Sequence, residues 1–365
     1  MGLAGALAVA AVAVLWPVGT VGAAPSAGVV VYAGPNLLKP PAGVNRNTDA
    51  LFFYPKVVTV HAGDTVTWQL RGFHTITFTG PKRDYPFIVP QGGKQPVQKD
   101  ASGDPFWWGG KTPVLGVSPL SILQQGGAAI SSPKQVRSSG LLRVLQSTAK
   151  QPPAPYQLTF TTPGVYRYEC AVHTSMRGVV RVLPSTAQVP SADAQEQEGA
   201  LELQRTIADA RRLNHAKPSV KLRVLVGVGH RATGAEVAAF FPSRLVVNVG
   251  DTVTFRNDDE TDIHTVTVGP AKYTGAIEKT FIAPHGKQLL LNPLGVFSSE
   301  PPGGGTVQYD GANHGNGYVN AGMLAPKGAP ASAGPQTYKV TFTKPGTYHY
   351  ECVIHQNMDG TIVVR

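Results

Sequence analysis

Two stretches decide how this chain folds. The first is Pro163-Gly164-Val165-Tyr166-Arg167-Tyr168-Glu169-Cys170, followed by His173 and Met176; the second is Pro345-Gly346-Thr347-Tyr348-His349-Tyr350-Glu351-Cys352, followed by His355 and Met358. Strand side chains alternate with a period of 2, so Tyr166, Tyr168 and Cys170 share one face. Val165, Arg167 and Glu169 share the other, and Tyr348, Tyr350 and Cys352 repeat the first pattern. A strand with an aromatic inner face, ending on Cys, is therefore expected twice.

Reading outward, more of the chain repeats. Phe52 to Trp68 reappears as Phe240 to Phe255, and His74-Thr75-Ile76-Thr77-Phe78 as His264-Thr265-Val266-Thr267-Val268. The offset is 187 from Gly63 to Gly250, 190 from His74 to His264 and 182 from Cys170 to Cys352. It drifts only where loops would differ, which is the signature of a tandem array. Val57 to Ala62 alternates and is rich in β-branched residues, and Gly63-Asp64 and Gly250-Asp251 are turn dipeptides. The expected fold is all-β: two tandem Greek-key sandwiches, over 25–186 and 219–365, joined by a helical linker over 187–218. Within that linker Ala192–Leu213 reads as a helix, with Ser191 as its N-cap and Leu203, Ile207 and Ala210 on one face. Acidic residues near its start and Arg211 and Arg212 near its end suit the helix dipole.

Composition agrees. The 365 residues include 41 glycines, 31 prolines and two cysteines, and only 15% are charged. There is no collagen period, and 42% hydrophobic residues is too many for a disordered chain. The long Gly/Pro/Ser-rich stretches 80–157 and 269–335 separate each early His from its Cys. They read as loop insertions, either functional covers or partly disordered. Phe106-Trp107-Trp108 in the first could cover one end of a sandwich or pack along its side. Residues 2–23 carry no charge, and Leu3 to Trp16 is an apolar run followed by small residues. Residues 1–24 thus read as an export signal, cleaved or retained as an anchor. The expected location is periplasmic, extracellular or at the cell surface.

Each copy gathers a thiolate, two imidazoles and a thioether: His74, Cys170, His173 and Met176, then His264, Cys352, His355 and Met358. Such a soft set suits copper cycling between Cu(I) and Cu(II), and two His with Cys and a weak axial Met is the blue-copper arrangement. The competing reading of the cysteines is a single disulfide; that of His74 and His264 is a satisfied strand histidine. Appearance of the whole set twice, at equivalent places, favours two copper ions, one per domain.

These residues resemble the cupredoxins, particularly plastocyanin-like and amicyanin-like domains. The resemblance covers about half of each copy, through the Gly-Asp-Thr-Val turn, the His-Thr strand and Pro-Gly-x-Tyr-x-Tyr-x-Cys-x2-His-x2-Met. The two-residue gap before Met looks like the short amicyanin loop. The family implies copper at one end of each sandwich, ligation through imidazole Nδ1, and exposed exit edges at His173 and His355. It also implies that Thr75 and Thr265 brace the Cys loop by a hydrogen bond.

The function this implies is an exported electron carrier passing single electrons between redox partners, rather than an enzyme. The alternatives are a two-domain copper enzyme, nitrite-reductase-like or an oxidase, with a further interfacial copper, and a copper-binding surface protein without electron traffic. The ten histidines form no His-x-His pair. His349, on the strand face opposite Cys352, is the one to watch for an extra metal. The net charge of +10 lies within residues 25–186, which hold 16 basic and 6 acidic residues. That favours acidic redox proteins as partners, docking on the first domain, or an anionic envelope surface. Export argues against nucleic acid.

Overall fold

The computed structural model describes residues 28–34, 41–81, 86–145, 152–173 and 175–365. The export segment 1–24 lies outside the described residues. Four sheets form two sandwiches whose strands correspond one to one. In the first, one sheet runs Phe53–Tyr54, Val30–Ala33, Thr65–Leu70, Tyr156–Phe160, Ala129–Ile130. Its partner sheet runs Arg137–Ser138, Thr77–Phe78, Gly164–Glu169, Arg177–Leu183, Val57–His61. In the second, Ala235–Phe241, Arg223–His230, Thr252–Asp259, Thr337–Phe342 and Val307–Tyr309 face Val319–Asn320, Thr267–Val268, Gly346–Glu351, Asp359–Val364 and Arg244–Val247.

The alternation seen in sequence sets which side is buried. Tyr166, Tyr168 and Cys170 point inward while Val165 is 49% exposed. The cores are aromatic in matching places: Tyr168 packs on Phe53 and Trp68, and Tyr350 on Phe240 and Phe255. Burying rings of this size is a large part of what holds each sandwich together.

The two halves are more closely joined than a linker implies. Thr48–Ala50 leaves the first half and pairs antiparallel with Ala235–Phe241, extending the second half's sheet. The long helix Ala192–Leu213 is N-capped by Ser191, whose side chain accepts from the Ala194 N–H. Its apolar face packs on both halves. Leu203 and Ile207 lie with Ala50, Phe52 and Tyr54; Ala210 and Leu213 lie with Leu225, Val228 and Val237.

The described parts of the insertions are not loose loops. Ile88–Lys94 and Pro113–Val117 from the first join Ile282–His285 and Gln288–Leu291 from the second in one four-stranded sheet. Phe106 and Trp108 stack at 4.3 Å, and Trp108 stacks on Phe297 of the other insertion. With Phe281 and Tyr318 they form a third hydrophobic core, which also holds Val172 and Val353 from the two Cys loops. Each insertion buries its apolar residues against the other, which the sequence of either alone does not reveal.

Candidate metal centres

Each Cys closes an inner-face strand, and the chain then turns back sharply. The Cys170 N–H donates to the Met176 carbonyl and the Met176 N–H to the His173 carbonyl. The Cys352 N–H donates to the Met358 carbonyl and the Met358 N–H to the His355 carbonyl. These bonds make each loop a closed ring. Strands Thr77–Phe78 and Thr267–Val268 then bring the fourth residue of each set, His74 or His264, against the loop.

The structure brings the predicted donors together. His74 Nδ1 and His173 Nδ1 are 3.1 Å apart, and each lies 3.9 Å from Cys170 Sγ. His264 Nδ1 and His355 Nδ1 are 3.0 Å apart, and Cys352 Sγ lies 3.5 Å from His355 Nδ1. One ion with bonds of about 2.0 Å to nitrogen and about 2.3 Å to sulfur spans such separations. Met176 and Met358 are fully buried, in the same cores as Cys170 and Cys352. Both cysteines are free and buried, so they form no disulfide with each other. The donor set therefore fits a soft metal ion at each end.

The surroundings hold the sulfurs as thiolates. Each Sγ accepts a backbone N–H, from Thr75 at 3.4 Å and from Thr265 at 3.3 Å. Burial alone would raise the Cys170 thiol, but bonds and charge from His173 and His74 hold it well below the ordinary thiol range. Burial likewise opposes Cys352 ionisation, and His355 and His264 override it. Thr75 Oγ1 accepts from the Ala171 N–H at 2.8 Å, and Thr265 Oγ1 from the Val353 N–H at 2.9 Å. Each Thr thus ties its strand to the neighbouring Cys loop.

Several residues at these sites escaped the sequence reading. Gly34 and Gly227 have φ of +57° and +69°, and a Cβ at either would collide with the His74 or His264 ring. Behind His264 lie buried acids: Asp259 Oδ2 is 3.3 Å from its Nε2 and Glu236 Oε1 is 4.0 Å. Burial, then Asp259 and Asp262, push Glu236 up to about 8. His74 Nε2 is buried without a hydrogen-bond partner. The two outer environments are therefore unequal.

The loop histidines do not form exposed exit edges. His173 and His355 turn toward each other, and both Nε2 atoms reach Asp262, in a cleft of about 1240 Å³ between the sandwiches. The insertion core packs on Val172 and Val353, close to the two histidines in sequence. His349 is elsewhere, bonding Thr361 Oγ1 at 3.3 Å. Among the described residues the other metal-type clusters are Glu236, Asp259, His264 and Glu236, Asp262, His355. Both borrow a histidine whose Nδ1 already faces a Cys.

Residues 228–365 match the family model of copper binding proteins, plastocyanin/azurin family. Among solved structures, a Cu(I) form of an amicyanin mutant is similar at 24% identity, covering 34% of this chain and 70% of that one, with a TM-score of 0.18. A purple cupredoxin from Nitrosopumilus maritimus is similar at 17% identity, covering 39% of this chain and 98% of that one, with a TM-score of 0.21. No curated protein matches the chain.

Proposed function

Residues 228–365 match the plastocyanin/azurin family model, and from that premise we propose that the chain is an exported electron carrier with one type 1 copper in each domain. The observation that carries this reading is the duplicated convergence of two Nδ1 atoms and one thiolate, with Met on the same tight loop. Copper bound there supplies one-electron chemistry through Cu(I)/Cu(II) cycling and an intense thiolate absorption. The residues supply the rest. The fixed strand and closed loop would hold the donors in one arrangement whichever oxidation state the bound copper had. The backbone N–H groups stabilise each thiolate, and the sandwich core around each sulfur keeps it dry. A carrier is favoured over an enzyme because the additional acidic clusters share His264 and His355 with the copper set.

Loading with copper tests this. Cys170→Ser and Cys352→Ser are each expected to remove about one copper and part of the blue band. Full copper and colour in both single variants would sink the assignment.

Acidic redox proteins are the proposed partners, docking on the first domain. Arg167, Arg177 and Arg181 are exposed on the outer face of adjacent strands there. Charge of this kind speeds encounter and is screened by salt. The association rate with an acidic partner should fall as ionic strength rises; a flat salt dependence counts against the docking face.

A further inference from the structure

We propose that Asp262 joins the two centres: its Oδ2 accepts from His173 Nε2 at 3.4 Å and from His355 Nε2 at 3.2 Å, making one imidazole–carboxylate–imidazole path between them. The proposal rests on the copper reading above. A carboxylate oxygen has room for two donors, and here one comes from each domain. The other oxygen, Oδ1, accepts the Ile263 N–H at 2.6 Å. Backbone bonds fix the residue: Asn257 Nδ2 donates to its carbonyl at 3.1 Å and its own N–H donates to Asp259 Oδ1 at 3.3 Å. Asp262 precedes His264 by two positions, so it belongs to the second centre's own loop and reaches across to the first. The side chains of His173, Asp262 and His355 are 9%, 14% and 20% exposed, so water screens the path little.

The carboxylate does two things. It keeps a proton on both Nε2 atoms, which leaves both Nδ1 lone pairs for the metal side. It also provides a direct polar connection between the domains' loops. In the internal step one electron leaves the first centre and enters the second, or the reverse. One site is oxidised by one electron, the other reduced by one, and no proton moves. Asp262 is a positioning residue in this step, since it acts through the histidines.

Two measurements test it. In the zinc-loaded, diamagnetic protein, NMR should show slowly exchanging Nε2–H signals for both His173 and His355. Asp262→Asn should bring both into fast exchange together, although they sit in different domains. In the copper-loaded protein, the internal electron-transfer rate after pulsed reduction should fall roughly 10–100-fold in Asp262→Asn and partly recover in Asp262→Glu. Rates are compared on samples matched in copper content, because losing this partner of two ligand histidines weakens copper binding as well. An unchanged rate with both Nε2–H signals retained overturns the proposal while leaving the copper reading intact. A wild-type protein that takes up no copper overturns both. If Asp262→Asn fails to fold, the zinc-loaded wild-type spectrum decides, because freely exchanging Nε2–H protons there rule out the shared carboxylate.

Discussion

Gly34 and Gly227 show how much of a metal centre lies outside its ligands. Each presses its backbone against the back of a strand histidine, and each has a positive φ that L side chains rarely adopt. Gly34→Ala and Gly227→Ala should displace His74 and His264 and weaken copper affinity roughly 10–100-fold at the altered site alone. Competition titration with a chelator measures this, and wild-type affinity in both variants contradicts it. The ligands themselves were legible because three of each four sit within seven residues of one loop. The glycines were not, because 40 residues separate Gly34 from His74 and glycine is common here. Asp262 was equally hidden. It stands close to His264 in sequence, but its second partner, His173, comes from the other half of the chain.

At the scale of elements, the sandwich strands follow from period-2 patterning and turn dipeptides, and the helix from its cap and apolar face. The insertion sheet does not. Ile88–Lys94 contains Pro90, Gly92 and Gly93, all poor strand residues, and it joins through Pro113–Val117 to a sheet half supplied by residues 282–291. Its stability comes from a partner that no local window contains. A polar clasp reinforces that union. His314, at φ +54°, bonds Asp100 of the first insertion at 2.8 Å and Glu300 at 3.0 Å. The Glu300 bond, opposed by burial and helped by Asp100, raises the imidazole above its ordinary value. A raised histidine stabilises most below about pH 6.5 and loses that contribution as pH rises through its folded-state value. His314→Gln should therefore cost on the order of 1 kcal/mol at mildly acid pH and progressively less in alkali. Thermal melts of both proteins across pH will show this; a gap that widens with pH contradicts it.

For the whole molecule, the sequence suggested two beads on a helical string, and the structure joins them at three levels. A strand is lent across at Thr48–Ala50, the helix is buried on both halves, and the insertions share one sheet and one core. Elements so interdigitated should unfold together. Calorimetry of the metal-free protein is expected to give one transition, whose van't Hoff and calorimetric enthalpies agree. Two resolved transitions would mean that the halves are independent after all.

The place where the halves meet carries one more consequence. The position two residues before the strand histidine is Asp262 in the second half but Gly72 in the first. Gly72 already lies close to His74 and Asp49, with 3.2 Å from its notional Cβ to His74 Nε2. A carboxylate at position 72 would instead start against His74 and beside the Asp49 carboxylate, and like charges at that separation repel. The two halves thus differ at the very place where they meet. One carboxylate, supplied by one half, serves the loop histidine of each.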